Sequence, residues 1–247
     1  MYRSRLIPVL LIQNDYIVKT INFQDPNYVG EPVNIVKLFN DKQADELVLF
    51  DINAFYDGKI NYDLLNDIAV NARMPLCYGG GIKSLKTVEK IFMAGLERVS
   101  IGKTLFNNKK IISEIANKFG SQSCVATLCI DKDKNNKYYI EYENHIIYEN
   151  EIKNLILELI DLGVGEILIN CVHKDGTQKG YDEMLIEKIY KYTSIPLTVT
   201  GGASSIENIL DIEKKFPIMG LGVGSLFIYK GKKKAVLVNY PENIREK

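Results

Sequence analysis

Short continuous apolar runs alternate along the chain with longer segments in which apolar residues recur every three or four positions. Continuous runs of this length are typical of parallel strands buried on both faces, and the longer spacing predicts amphipathic helices. The runs predict strands at residues 6–12, 46–52, 75–78, 98–101, 124–130, 166–172, 196–200 and 219–223. The longer segments predict helices at residues 33–41, 62–72, 85–94, 109–119, 151–162, 184–192 and 206–215.

Two segments fall outside this alternation. The stretch after the first strand, through Lys19 and Gly30 to Pro32, is predicted as a loop. Residues 132–148 are polar with two short tyrosine-rich pieces, which predicts an inserted hairpin with its turn at residues 133–136. About eight strand–helix alternations in 247 residues favour a (β/α)8 TIM barrel over an open doubly wound sheet. We expect one barrel domain over residues 1–247.

The second half of the sequence resembles the first. ADELVLFDI, which ends at residue 52, is similar to VGEILINCV, which ends at residue 172. PLCYGGGIKS matches PLTVTGGASS, and RVSIGKTLF matches MGLGVGSLF. The offset is roughly 120 residues each time, which predicts duplication of a half-barrel.

Composition narrows the functional classes. The chain has 31 basic and 31 acidic residues, so it lacks the basic excess expected for binding nucleic acid or an anionic membrane. The apolar runs are too short to span a bilayer, and the N-terminal one is too short for a convincing signal peptide, so a cytoplasmic protein is expected. Cys77, Cys124, Cys129 and Cys171 lie in apolar runs without a Cys-x-x-Cys pair, which predicts buried, reduced thiols.

Metal and cofactor sites are not expected from the sequence. His145 and His173 are far apart along the chain and lack partners at the spacing of metal ligands. No cofactor-binding motif accompanies them.

Candidate chemistry lies in the glycine-rich turns. PLCYGGGIKS and PLTVTGGASS each read as a strand, paired glycines and a helix start. Glycine permits a tight turn and close approach of a ligand, and the free N–H groups of a helix start suit phosphate. A third turn, Gly222 to Ser225, follows the eighth strand. Two phosphate sites are therefore predicted at the C-terminal ends of the strands; the alternative is that these glycines serve only as tight turns.

The motifs GGGIKS, FGSQS, GEIL, KDGTxxGYD and TGGA, in this order and spacing, resemble the cyclase subunit of imidazole glycerol phosphate synthase, the HisF family. The resemblance covers nearly the whole chain. It implies a (β/α)8 barrel with a glutaminase subunit on its N-terminal face. Ammonia released there would pass through the barrel to a bisphosphorylated ribulosyl substrate at the C-terminal face. The phosphate contacts it implies are Gly81, Gly102 and Lys103 at one end, and Asp175, Gly176, Gly202, Gly224 and Ser225 at the other, with Lys19 in a substrate loop.

The positions of the acid–base pair depart from the family. That cyclase uses an aspartate at the end of the first strand and another at the end of the fifth, where this chain has Leu11 and Cys129. Neither a leucine nor a neutral thiol replaces a carboxylate in proton transfer. Asp131 would face the same way as Cys129 if the strand continued, and Asp51 ends the second strand, so these two are the candidate replacements. Gly102 replaces an asparagine of the first phosphate site.

The opposite face keeps the family pattern. The family gates its ammonia passage with charged residues at the N-terminal ends of alternate strands, and the matching residues are Arg5, Glu46, Arg98 and Glu166. All four carry the expected charge. We therefore expect that ammonia transit is kept while cyclisation is not; the alternative is a surface cluster of salt bridges.

Two segments, PVLLIQNDYIVKT and FIYKGKKKAVLVNYP, are similar to a paralogous branch of the family. That branch works with a glutaminase-like subunit and an ATP-dependent sugar amidotransferase in surface polysaccharide synthesis. It typically has leucine at the first position, as here, but keeps the aspartate that Cys129 replaces. The leading hypothesis is thus an ammonia-conducting subunit serving nucleotide-sugar amidation. The alternatives are a histidine-pathway cyclase and a non-catalytic scaffold that binds a phosphorylated small molecule. The lysine run at residues 230–234 is predicted as a solvated turn.

Overall fold

The structure is a computed structural model that describes residues 4–143, 145–217, 219–231 and 235–241. Its strands are β1 (Arg5–Gln13), β2 (Tyr16–Ile21), β3 (Gln24–Gly30), β4 (Leu47–Asp51), β5 (Leu76–Gly79), β6 (Arg98–Ile101), β7 (Cys124–Lys132), β8 (Tyr138–Tyr142), β9 (His145–Tyr148), β10 (Glu166–Cys171), β11 (Leu197–Thr200), β12 (Gly220–Val223), β13 (Tyr229–Lys230) and β14 (Ala235–Val236). Its helices are α1 (Pro32–Asp41), α2 (Ile52–Asp57), α3 (Tyr62–Asn71), α4 (Leu85–Met93), α5 (Thr104–Asn107), α6 (Lys110–Phe119), α7 (Glu149–Asp161), α8 (Glu183–Tyr190), α9 (Ile206–Lys215) and α10 (Ser225–Ile228).

Eight of these strands form a closed parallel barrel. The order around it is β1, β4, β5, β6, β7, β10, β11 and β12, and β12 pairs again with β1. Helices lie between consecutive barrel strands, which confirms the predicted (β/α)8 TIM barrel. Each predicted strand and helix is found near its expected position.

The segment predicted as a loop after the first strand is instead an antiparallel arm, so that prediction was wrong. β2 pairs with β1 across a two-residue turn at Asn14 and Asp15, and β3 pairs with β2. Both turn residues have positive φ, at 50° and 65°, a conformation that Asn and Asp tolerate and that two-residue hairpins favour. The arm passes over the C-terminal mouth of the barrel and brings Lys19 into it.

The inserted hairpin is confirmed within the predicted residues, and a third strand extends it. β7 continues to Lys132 and pairs with β8, which pairs with β9. The turn lies where the sequence placed it, because the N–H of Asn136 donates to the carbonyl of Asp133 at 3.0 Å. Residues 232–234 of the predicted lysine turn lie outside the described residues.

Apolar side chains fill two regions. The larger lies between the strands and the helices, and a smaller cluster lies in the barrel interior with Ile7, Val9, Val48, Cys77, Val125 and Leu168. The buried hydroxyl groups of Ser100, Thr127 and Thr198 share that interior. Strand alternation sends successive residues to these two regions, which explains the continuous apolar runs. Three cysteines are buried and reduced, but Cys129 is exposed, so the prediction of four buried thiols was wrong at that position. Cys129 follows the interior face of β7 beyond the packed cluster, into the open mouth.

The two halves of the barrel have the same backbone arrangement at their paired glycines. A Cβ on Gly80 would lie 2.6 Å from the carbonyl oxygen of Asp51, and one on Gly201 would lie 2.5 Å from that of Cys171. Both glycines also have positive φ, so glycine is required at each place. Ser84 and Ser205 then cap the following helices in the same way. Within the described residues, no helix combines the length and the apolar character needed to cross a bilayer.

Candidate functional site

The barrel mouth contains a pocket at the ends of β1, β10, β11 and β12. Leu11 and Lys19 line it together with all five residues of the second predicted phosphate site, namely Asp175, Gly176, Gly202, Gly224 and Ser225. Residues separated by more than 200 positions thus meet where the barrel closes. The structure brings this predicted set together; phosphate binding there stays a prediction.

Lys19 supplies a cationic group to this pocket. Its side chain is buried, and Nζ donates a hydrogen bond to the carbonyl of Val9. Burial lowers the pKa of Lys19 to about 8, and the nearby charge of Asp175 acts in the opposite direction. A bound anion would favour the protonated amine, so the affinity for an anion is coupled to the charge of this lysine.

The arm and the loop after β10 hold each other in place. The N–H of Asn22 donates to the carbonyl of Asp175 at 3.0 Å, and the hydroxyl of Thr20 lies 3.4 Å from Oδ2 of Asp175. Gly176 has φ of 67°, and a Cβ there would lie 2.2 Å from the carbonyl oxygen of Thr20. Glycine is therefore needed for the arm to approach. Burial raises the pKa of the Asp175 carboxyl, while Lys19 lowers it.

The first predicted phosphate set lies on the other side of the mouth, away from this pocket. Lys103 Nζ lies 3.7 Å from Oε1 of Glu143, and it lies 5.6 Å from the ring centroid of Phe55. Gly81 has φ of 66° and approaches the carbonyl of Ala54, whereas a Cβ on Gly102 would make only an ordinary contact at 3.6 Å. The backbone conformation and the close contact therefore require glycine at position 81 but not at position 102. Phosphate binding at this set also stays a prediction.

Neither family carboxylate position supplies a proton-transfer group. Leu11 contributes an apolar wall to the pocket. Cys129 lies in the open mouth, where loss of hydration raises the pKa of its thiol above the ordinary value. The negative charge of Asp175 raises this pKa further by a smaller amount. A protonated thiol and a leucine cannot act as a general acid–base pair at neutral pH.

The two candidate replacement carboxylates have other partners. Strand β7 continues through Asp131, which is the condition for Asp131 to replace the carboxylate lost at Cys129. However, Oδ1 of Asp131 lies 3.3 Å from Nδ1 of His173. Asp51 accepts from the N–H of Ala54 at 2.8 Å and from the hydroxyl of Tyr78 at 3.0 Å. Burial raises the pKa of Asp51, and these two hydrogen bonds oppose that shift. Among the described residues that line the pocket beside Lys19, neither aspartate is found.

The four charged residues at the barrel bottom form a closed ring. Glu46 accepts from Arg5 and, at 2.6 Å, from Arg98. Glu166 accepts from Arg5 at 2.8 Å and from Arg98 at 2.5 Å. Both carboxylates are almost fully buried, at 3% relative exposure each. Attraction to the two arginines, working against burial, holds the pKa of Glu166 below its usual value.

The placement of the ring differs from the prediction in one respect. Arg5, Arg98 and Glu166 each begin a strand, and Glu46 immediately precedes β4. These are the first, second, fourth and sixth barrel strands, so the expectation of alternate strands was wrong. The side chains converge because long arginines on two strands reach both carboxylates. The apolar interior cluster follows directly along the barrel axis.

Sequence reasoning missed two groups of polar residues. Asn170 is buried, lines the pocket, and its Oδ1 has no hydrogen-bond partner. An asparagine within the apolar run EILINC was the available signal. His173 has no partner at metal-ligand spacing in the sequence, but the fold brings it beside Cys171 and Asp182. Asp182 is nine positions from the histidine, a separation that matches no familiar ligand spacing.

Comparison with known proteins agrees with this architecture. The family described as histidine biosynthesis protein matches residues 5–234. A Leptospira borgpetersenii protein named "Putative imidazole glycerol phosphate synthase subunit HisF" is 43% identical over 98% of this chain and 96% of its own length. A Pseudomonas aeruginosa protein with the same description and the designation hisF2 is 40% identical over 98% and 97%. The Bacillus cereus (strain G9842) imidazole glycerol phosphate synthase subunit HisF is 34% identical over 93% and 92%.

Proposed function

The chain belongs to the histidine biosynthesis protein family as a HisF-like member, and we propose that it accepts ammonia from a glutaminase partner and conducts it through the barrel for amidation of a nucleotide sugar. The observation that carries this proposal is the closed ring of Arg5, Glu46, Arg98 and Glu166 below an apolar barrel interior, combined with the absence of a carboxylate at Leu11 and Cys129. This combination supports ammonia transit without cyclisation.

The chemistry of the barrel axis supports passage of ammonia. A neutral molecule crosses an apolar interior at far lower cost than an ammonium ion, which would lose its hydration. Each glutamate is held by two guanidinium groups, so rotation of one arginine opens the ring without leaving either carboxylate alone.

The position of the ring supports a partner on the N-terminal face. The names of the relatives describe synthase subunits, and a glutaminase subunit is the partner that such a name implies. For the sugar reaction we propose an ATP-dependent sugar amidotransferase as a second partner. The reduced thiols and the expected substrates fit a cytoplasmic location.

The pocket of Lys19 supports a phosphorylated ligand at the opposite end. Lys19, Ser225 and the backbone of Gly202 and Gly224 surround it, and the unpartnered carbonyl oxygen of Asn170 can accept from a hydroxyl of such a ligand. A histidine-pathway cyclase would use the same pocket, but it needs two convergent carboxylates, and Asp51 and Asp131 are paired elsewhere. In a scaffold without ammonia transfer, the buried ring would serve stability alone.

The partner test uses a HisH-type glutaminase from the same organism. We expect the protein to form a complex with it by size-exclusion chromatography and to raise its rate of glutamine hydrolysis. Arg98→Met, which opens the ring, should alter this stimulation, whereas Lys109→Met, which removes an exposed pair with Glu158, should not. A protein that neither binds nor stimulates the glutaminase would refute the conduction proposal.

The acceptor is tested in cells. Deletion of the gene should remove the acetamidino signals from the NMR spectrum of the surface polysaccharide and leave growth without histidine intact. Histidine auxotrophy of the deletion strain would instead support the cyclase alternative.

A further inference from the structure

A cysteine, a histidine and an aspartate converge where β10 leaves the barrel. Cys171 is the last residue of β10, His173 lies in the short 3-10 turn that follows, and Asp182 is the N-cap of α8. Sγ of Cys171 lies 3.6 Å from Nε2 and 3.7 Å from Nδ1 of His173, and Nε2 lies 3.0 Å from Oδ2 of Asp182. The three donor atoms all lie within 4.8 Å of one another.

The surroundings orient each donor. Oδ1 of Asp182 accepts from the N–H of Leu185 at 3.1 Å and from the hydroxyl of Tyr138 at 2.9 Å, which leaves Oδ2 directed toward His173. Nδ1 of His173 lies 3.3 Å from Oδ1 of Asp131. A carboxylate behind a histidine, fixing its ring, is the arrangement that metal sites use to orient a ligand.

We propose that Cys171, His173 and Asp182 bind one divalent cation of the zinc class, with Asp131 orienting the histidine from behind. Thiolate, imidazole and carboxylate are the donor types that Zn²⁺ prefers, and three protein ligands leave a fourth position for solvent. A tetrahedral site brings such donors to separations of about 3.3–3.7 Å. The widest separation therefore has to shorten by about 1 Å, and the 3.0 Å separation of Nε2 and Oδ2 has to lengthen slightly. Two of the ligands are buried and His173 is 23% exposed, which gives the ion access.

The charges of the site balance on binding. The thiol of Cys171 loses its proton to solvent, because a coordinating thiol is deprotonated. One thiolate, one carboxylate and a neutral imidazole then neutralise a divalent ion. A neutral site is what a largely buried position requires, since an uncompensated charge there is costly.

The ion would close the loop between residues 171 and 182 at both ends. That loop carries Asp175 and Gly176, which line the pocket beside Lys19. Metal binding would therefore fix the wall of the candidate ligand pocket. The metal proposal rests on the geometry of this cluster alone and holds whether or not the protein conducts ammonia.

A metal-free alternative explains only part of the cluster. The protonated imidazolium form of His173 has two N–H donors and can donate to both Asp131 and Asp182 without an ion. In that case the thiol of Cys171 only packs in the hydrophobic core, so the cysteine separates the two possibilities.

The test is metal binding by the full-length, tag-free protein. After incubation with Co²⁺ and dialysis, we expect about one ion per chain by elemental analysis, a cobalt–thiolate charge-transfer band, and visible bands of tetrahedral intensity. Zn²⁺ should displace the cobalt and raise the melting temperature. Wild-type protein that retains no stoichiometric metal would overturn the proposal.

Variants identify the ligands. Cys171→Ser should lose the charge-transfer band, and His173→Gln should lose stoichiometric binding. Asp131→Asn should weaken binding by about 10–100-fold while keeping the thiolate band. Cys129→Ser is the matched control, because it removes an exposed thiol of the same mouth and should leave the spectrum unchanged.

A charge-transfer band that persists in Cys171→Ser, or that disappears in Cys129→Ser, would assign the metal to other residues. Cys171 is buried, so its serine variant is the one at risk of folding poorly. His173 is partly exposed, so His173→Gln tests the site in that case.

Discussion

Oδ1 of Asp131, near the end of β7, lies 3.3 Å from Nδ1 of His173, in the turn after the neighbouring strand β10. The carboxylate nearest to Cys129 along the chain is therefore held by the loop that follows β10. A proton-transfer group has to reach the substrate, and Asp131 is engaged beside the pocket rather than in its lining. This pairing bears directly on which reaction the barrel performs.

The first prediction concerns cyclase activity. With the bisphosphorylated ribulosyl substrate and excess ammonium salt, we expect no turnover by the wild-type protein, because Leu11 and Cys129 replace the acid–base pair. The double variant Leu11→Asp/Cys129→Asp should gain turnover, since both positions face the mouth. A positioned acid or base contributes about 10²–10⁴-fold, so the gain should exceed about 100-fold.

The matched control for this gain is Leu11→Asn/Cys129→Asn, which has the same side-chain size without an ionisable group. It should stay inactive. Wild-type turnover equal to that of the aspartate variant would contradict the assignment and return Asp51 or Asp131 to the catalytic role.

The second prediction concerns the stability of the ring. Glu166→Gln leaves Arg5 and Arg98 sharing the single carboxylate of Glu46, and removing one partner from a buried pair costs about 3–5 kcal/mol. Glu158→Gln removes only the exposed pair with Lys109 and should cost less than about 1 kcal/mol. Urea unfolding followed by circular dichroism measures both. Equal losses in the two variants would show that the ring contributes no more than a surface pair.

The third prediction concerns anion binding and pH. Burial lowers the pKa of Lys19 to about 8, so the free protein loses this positive charge as the pH rises through 8. A bound anion stabilises the protonated amine and raises that pKa again. Sulfate keeps its charge throughout, so its affinity should be constant below pH 8 and fall by about tenfold per pH unit above it. Isothermal titration calorimetry at a series of pH values measures this slope.

Lys19→Met provides the comparison for the anion experiment. It should bind sulfate more weakly at pH 7 and should not show the slope above pH 8. If the variant retains the wild-type slope, another group controls anion binding in the pocket.

The fourth prediction separates two glycines of the predicted phosphate sites. Gly176→Ala places a Cβ 2.2 Å from the carbonyl of Thr20 at a positive φ, so the arm has to move, at a cost of about 1–3 kcal/mol. Gly102→Ala meets its nearest atom at 3.6 Å without a positive φ and should be nearly neutral in stability. Thermal unfolding compares the two. A neutral Gly176→Ala would mean that the arm does not need its close contact with the loop after β10.

Local pattern was sufficient for the barrel. A parallel strand covered on both faces needs a continuous apolar run, and such runs placed β1, β4 and β10 within a residue or two of where they lie. The paired glycines at Gly80 and Gly201 were equally readable, because a tight approach to the neighbouring strand excludes any Cβ. The arm was missed although Asn14 and Asp15 were a usable hairpin signal, since the polar residues around it concealed the β-branched run of β2.

The sequence by itself determined the fold, the positions of the glycine turns and the replacement of the acid–base pair by Leu11 and Cys129. Only the tertiary structure decided how side chains pair. Asp131 with His173, Asp182 with the same histidine, and the exposure of Cys129 depend on which strand ends meet when the barrel closes. Such contacts join residues from different strands and helices, so their distances are set by strand stagger and loop path rather than by any local pattern of apolar and polar residues.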